Sequence, residues 1–177
     1  MKINLGCGKR NFGKDWIHID GSKYPHIDSH DIINFHYTNI DLIYASHVIE
    51  YFDREEIVKI LKIWKNKLKR NGILRIAVPD FKQINKLYLT KKFDLDSFLG
   101  PLYGKMTMND KNIYHKTVYD FESLEKILLK SGFAKIRKWD WRKVNHGKFD
   151  DHSQAYLPKM NKEEGTLISL NIEASNE

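Results

Sequence analysis

The chain has 177 residues, 41% of them hydrophobic, and a formal net charge of +7. That length suits one domain with a sizeable core, and no apolar run approaches the roughly 20 residues of a membrane span. A single cysteine, Cys7, excludes an internal disulfide framework and suits a reducing cytoplasm. The first strand begins almost at Met1, which leaves no room for a signal peptide and points to a cytoplasmic location. The positive charge would ordinarily suggest nucleic acid, but it is carried by scattered lysines, and arginine, the main reader of bases and phosphates, is scarce. Nucleic acid is therefore not the expected partner.

In chain order, strands are expected at Lys2–Leu5, Trp16–Ile19, a weak Ser29–Ile33, Leu42–Ala45, Gly72–Val78, Ala134–Asp140 and Thr166–Glu173. A helix is expected over Asp53–Lys69, with Asp53 and Glu56 as a capping box and Asn71-Gly72 as its stop. Its lysines, Lys59, Lys62, Lys65 and Lys69, face away from Ile57, Ile60, Leu61, Trp64 and Leu68. A second helix, Phe121–Ser131, stops at Gly132. Strands alternating with helices predict an α/β fold with a mostly parallel, Rossmann-like sheet. Only eleven residues, Gly6 to Trp16, separate the first two strands, too few for a crossover helix. One flank of the sheet should then be thinly covered, a place where a second copy would pack as a homodimer. The stretch 81–120 reads as an irregular insertion on the substrate side of one domain spanning 1–177.

Gly6-Cys7-Gly8 ends the first strand in a turn, and Asp20 ends the second. A glycine turn at one strand tip beside an acid at the next is how open α/β sheets hold a nucleoside. Cys7 reads as a small residue in a tight turn rather than a nucleophile. The strand over Leu42–Ala45 runs into a polar tip carrying Ser46, His47 and Glu50, the last of which reads as an early helix acid facing the dipole. Taken together, NLGCGKRN, WIHID, DLIYASHVIEYF and NGILRIAVPDF, followed by HKTVYDFESLEKILLKSGF and TLISLNIEA, resemble the motif series of class I S-adenosylmethionine-dependent methyltransferases. The similarity is to the compact branch of glycan and surface-polysaccharide methyltransferases and covers most of the chain.

The resemblance implies S-adenosylmethionine as cofactor. It places Gly6, Cys7 and Gly8 against the methionine portion, and Asp20 on the ribose hydroxyls. Asp31 would meet the adenine amino group, with Ile32 packing on the base, and Ser46 and His47 would lie beneath the sulfonium. Asp28 is close to Asp31 and either also reads as a turn acid, and Lys9 or Arg10 would supply positive charge to the donor carboxylate. Methyl transfer to a hydroxyl needs a base, and His47 and His115 are the candidates. The segment after Ala45 lacks the Asn/Asp-Pro-Pro-aromatic box that holds planar amino groups, which favours a hydroxyl on a small-molecule, sugar or glycan-like acceptor. No metal is expected, because His47 and Glu50 have no further partner at ligand spacing. Asp150-Asp151-His152 reads as a polar loop, and Trp139 and Trp141 as packing residues. The rivals are a donor-binding protein without turnover, a nucleic-acid methyltransferase, and an aminopropyl transferase.

Overall fold

The structure is a computed structural model that describes residues 1–108 and 110–177. In chain order its elements are β1 (Lys2–Leu5), β2 (Ile17–Ile19), β3 (Ile40–Ser46), α1 (Ile57–Lys67) and β4 (Leu68–Pro79). The 81–120 stretch holds α2 (Phe81–Leu89), α3 (Asp96–Tyr103), β5 (Met106–Met108) and β6 (Lys111–Ile113). The chain closes with α4 (Phe121–Lys130), β7 (Ala134–Lys138), β8 (Tyr156–Leu157), β9 (Thr166–Leu167) and β10 (Ser169–Ser175). Six strands make the central sheet, in the order β2-β1-β3-β4-β10-β7. The first four run parallel, while β10 is antiparallel to both of its neighbours. The expected mostly parallel α/β sheet is the one that forms.

The two faces of the sheet are held differently. Ile3, Leu5, Ile43, Ala45, Leu74, Ile76, Ile172 and Ala174 alternate onto one face and are buried there against Ile57, Leu61 and Trp64 of α1 and Leu124 and Leu128 of α4. These apolar positions recur at strand and helix periods, which gathers them on one face of the sheet and one side of each helix. The other face carries a polar row that crosses all six strands in register: His18, Asn4, Tyr44, Arg75, Glu173 and Arg137. Arg75 and Arg137 both donate to the Glu173 carboxylate, at 2.7 and 2.8 Å.

That polar face is covered by the chain itself, where a thin flank was expected. After β7 the chain crosses over the sheet in three short 3-10 turns, Trp141–Lys143, Asn145–Lys148 and His152–Gln154. Phe12, from the short β1–β2 link, stacks on Phe149 at 4.5 Å, and Tyr44 and Trp139 complete the aromatic layer. Asp151 is buried and accepts from the Tyr44 hydroxyl at 2.6 Å. The face left thin by the short β1–β2 link is thus covered by a later segment of the same chain.

Four expectations need correction. The Ser29–Ile33 strand is reduced to one bridge between Ile19 and Ser29. Asp31 Oδ1 accepts from the N–H groups of Ile33 and Asn34, which curls the chain into a turn instead. The capping box at Asp53 does not form: α1 starts at Ile57 without a side-chain cap, and the Asp53 carboxylate pairs with Lys116. Asn71-Gly72 does not stop a helix, because α1 ends at Lys67 and β4 begins at once. The pair sits in an irregular part of β4, with Asn71 at φ 61° and Gly72 against the Ile40 carbonyl. The 81–120 stretch, read as irregular, contains two helices and a hairpin.

Candidate active site

The carboxyl ends of β1, β2 and β3 meet at the site. Gly6 bends at φ +64°, and a Cβ there would fall 2.3 Å from Val48 Cγ2, so only glycine lets this turn lie against the tip of β3. Asp20 is buried, and its two oxygens accept from the Gly8 N–H at 2.8 Å and the Ser22 N–H at 2.7 Å. The acid at the end of β2 therefore fixes the glycine turn at the end of β1. Each carboxylate oxygen keeps a lone pair for a further donor. A small polar cavity of about 10 Å³ opens beside the turn, lined by Asn4, Gly6, Cys7, Arg10, Ser46 and Asp151. Burial, reinforced by Asp20, pushes the Cys7 thiol up to about 12, which disfavours the thiolate. A larger groove of about 400 Å³ lies between Asp80, Phe121 and Arg137 and shares no residue with this cavity.

Beyond Ser46 the backbone turns through His47 at φ 55°, a left-handed conformation that is rare outside glycine. The turn brings His47 over Glu50, with Nδ1 3.2 Å from Oε1. His115 arrives from the other side, out of the 81–120 stretch, with Nε2 3.7 Å from the same oxygen. Backbone hydrogen bonds hold that approach: the His115 N–H donates to the Tyr103 carbonyl and the Lys116 N–H to the Glu50 carbonyl. Gly104 makes room, since a Cβ there would lie 1.9 Å from His115 Nε2. His152 joins from the covering segment, its ring 5.2 Å from that of His47. Burial first, then His47, lowers His152 to about 4. Burial also lowers His115, against the opposing pull of Glu50.

Among the described residues, six buried side-chain polar atoms lack a hydrogen-bond partner, and five belong to Ser46, His47, Glu50 and Tyr119. Folded proteins leave few such atoms. Their concentration here leaves several buried polar groups without a protein partner in one place.

Of the residues singled out from sequence, Gly6, Cys7, Gly8, Asp20, Ser46, His47 and His115 meet at these strand ends. Asp31 and Ile32 follow the end of β2: Asp31 is exposed and accepts within its own turn, and Ile32 packs on the core while its carbonyl accepts from Trp64. Arg10 reaches the cavity, where its Nε donates to the Asp150 carbonyl. Three contributors were missed. Glu50 was read as a helix acid and is instead the fully buried centre of the histidine cluster. Asp151 and His152 were read as loop. The expectation that His47 and Glu50 lack a third partner also fails, because His115 completes a group whose ligand atoms lie within 4.8 Å of one another. Sequence distance hid it: 65 residues separate Glu50 from His115.

No protein-family model matches the sequence, and a search of curated proteins finds no match. Solved structures do match. A S-adenosylmethionine-dependent methyltransferase from Archaeoglobus fulgidus is similar over 98% of this chain and 85% of its own, at 18% identity and a TM-score of 0.57. One from Methanosarcina mazei covers 98% and 91%, at 14% identity and a TM-score of 0.56. The 1,6-didemethyltoxoflavin-N1-methyltransferase of Burkholderia thailandensis, solved with 1,6-didemethyltoxoflavin and S-adenosylhomocysteine, covers 98% and 69%, at 10% identity and a TM-score of 0.54. With its parallel strands and antiparallel β10, the chain has the fold of class I S-adenosylmethionine-dependent methyltransferases.

Proposed function

We propose that this protein binds S-adenosylmethionine at the Gly6–Gly8 turn and transfers its methyl group to a hydroxyl of a sugar or glycan-like acceptor. The observation that carries the reading is the hydrogen bond that ties Gly8 to Asp20 at the ends of β1 and β2. In this fold that corner receives a nucleoside. Asp20 would accept from the ribose, and the turn would offer N–H groups to the methionine carboxylate, with Arg10 supplying charge. Asp31 and Ile32 would serve the adenine.

The hydroxyl acceptor is supported by the His47–Glu50–His115 cluster and by the absence of an amine-holding box after Ser46. In-line transfer forms the O–CH₃ bond as the S–CH₃ bond breaks. The acceptor proton passes to a histidine nitrogen, and S-adenosylhomocysteine leaves. His47 Nε2, buried and unpartnered, is placed for that proton. The 81–120 stretch, which delivers His115 and sets Met108 against Gly21, would form the acceptor side.

One observation favours a second reading. Ligand pockets hold roughly 300–1,000 Å³, and the cavity beside the turn holds about 10 Å³. The donor enters only if Arg10 and the 150–152 segment move aside. A chain that keeps this corner closed would be a protein of the fold without turnover. Methyl transfer from labelled S-adenosylmethionine to a panel of sugars and glycans decides between them. The proposal expects incorporation that falls by about 10²–10⁴ in His47→Ala or His115→Ala. Donor binding with no incorporation into any hydroxyl acceptor favours the second reading.

A further inference from the structure

We propose that His47, Glu50 and His115 form a binding site for one divalent transition-metal cation, with open coordination positions for an oxygen of the acceptor. The acceptor part rests on the methyl-transfer reading; the cation part does not.

The tautomer of His115 is the first piece of evidence. Its Nδ1 lies 3.1 Å from the Pro101 carbonyl, which can only accept, so Nδ1 carries the hydrogen. In the neutral ring Nε2 is then a bare lone pair, and it lies 3.7 Å from a carboxylate oxygen. Two lone pairs facing each other repel unless a cation sits between them. A backbone carbonyl fixing the far nitrogen is also the usual support behind a metal-binding histidine.

Glu50 is the second. Its carboxylate is fully buried, and neither oxygen makes a hydrogen bond. His47 approaches to 3.2 Å without hydrogen-bond geometry. A carboxylate left this way inside a protein is costly, and a divalent cation is the counter-charge that the two neutral imidazoles can share with it.

The spacing fits. Ligands about 2.0–2.1 Å from a tetrahedral cation lie about 3.3 Å from one another. The two approaches to Glu50 Oε1, 3.2 and 3.7 Å, bracket that separation, and all three ligand atoms lie within 4.8 Å of one another. Two imidazoles and one carboxylate suit zinc, cobalt, manganese or iron better than calcium or magnesium, which prefer oxygen alone. Three protein ligands leave at least one position open, the pattern of a working rather than a structural metal site. With the cation bound, the two imidazoles would be ligands rather than the bases of the metal-free reading: the cation would hold the acceptor oxygen and acidify its hydroxyl, whose proton would leave to water.

The test uses the tag-free full chain, stripped with chelator and desalted, titrated with Co²⁺ and then Zn²⁺ without donor or acceptor. The proposal expects visible absorption bands that saturate at one equivalent of Co²⁺ and are bleached by Zn²⁺. Glu50→Gln, which keeps the side chain's shape, and His115→Ala should each weaken binding by about 100-fold or more, and Gly104→Ala should weaken it by displacing His115. His36→Ala, remote from the cluster, should bind as the native chain does. Absence of saturable binding, or binding of unchanged strength in both Glu50→Gln and His115→Ala, overturns the proposal. Because no donor is present, the cation site can fail while the donor site stands.

Discussion

Replacing Gly6 with alanine should destabilise the fold through two separable effects. The backbone at φ +64° resists any Cβ, at a cost of about 1–2 kcal/mol. The new methyl would also lie 2.3 Å from Val48 Cγ2, and forcing a methyl into a packed site costs about 1–3 kcal/mol. Together Gly6→Ala should cost about 2–5 kcal/mol, or roughly 4–20 °C in Tm for a chain of this size. Gly8 provides the contrast: its φ is +54° but its Cβ would meet nothing within 4 Å, so Gly8→Ala should show only the backbone part. Adding Val48→Ala should make the double variant less destabilised than the sum of the single ones, by about 1–3 kcal/mol. Urea unfolding followed by circular dichroism measures all four variants. Equal losses for Gly6→Ala and Gly8→Ala, or strict additivity with Val48→Ala, would refute the packing of the turn against β3.

Two further predictions concern buried titrating groups. His146 is held down at about 4, first by burial and then by Arg75, whose guanidinium donates to its Nε2 at 3.0 Å. Only the unfolded chain then takes up that proton near 6.5, so stability is intact above this pH and declines as pH falls from 6.5 towards 4, by about 3 kcal/mol from this residue. Urea unfolding at pH 7 and pH 5 should show a smaller acid loss in His146→Gln; an unchanged loss would count against it. Cys7, buried with a thiol pushed up to about 12, should resist iodoacetamide at pH 8 in the folded chain and react fully in urea. Rapid labelling of the native protein would contradict the burial.

The sheet was legible because apolar residues recur at the strand period in β1, β3 and β4, and both long helices carry an apolar stripe of the right width. Asp20 and the glycine turn were legible because they are local: each ends its own strand, and neighbouring strands bring them together. What stayed hidden was non-local or polar. The Tyr44–Asp151 contact joins residues 107 positions apart, and a polar loop gives no sign in sequence that it will be buried. The chain therefore covers its thin flank with a segment whose Asp, His and Asn residues look solvent-facing. Glu50 misled for the same reason: an acid beside a helix start has an ordinary explanation, and only His47 and His115 around it remove that explanation. Asp53 shows a local rule losing to a tertiary one, since Lys116 draws its carboxylate away from the cap.

The central claim is donor binding at the Gly6–Gly8 turn, and calorimetric titration with S-adenosylhomocysteine tests it most directly. The native chain should bind one equivalent with micromolar affinity. Asp20→Asn keeps the side chain's size and one acceptor oxygen but loses the charge and half of the carboxylate's bonding, so a folded variant should bind at least tenfold more weakly. No heat with the folded native chain, or unchanged affinity in Asp20→Asn, would contradict the account.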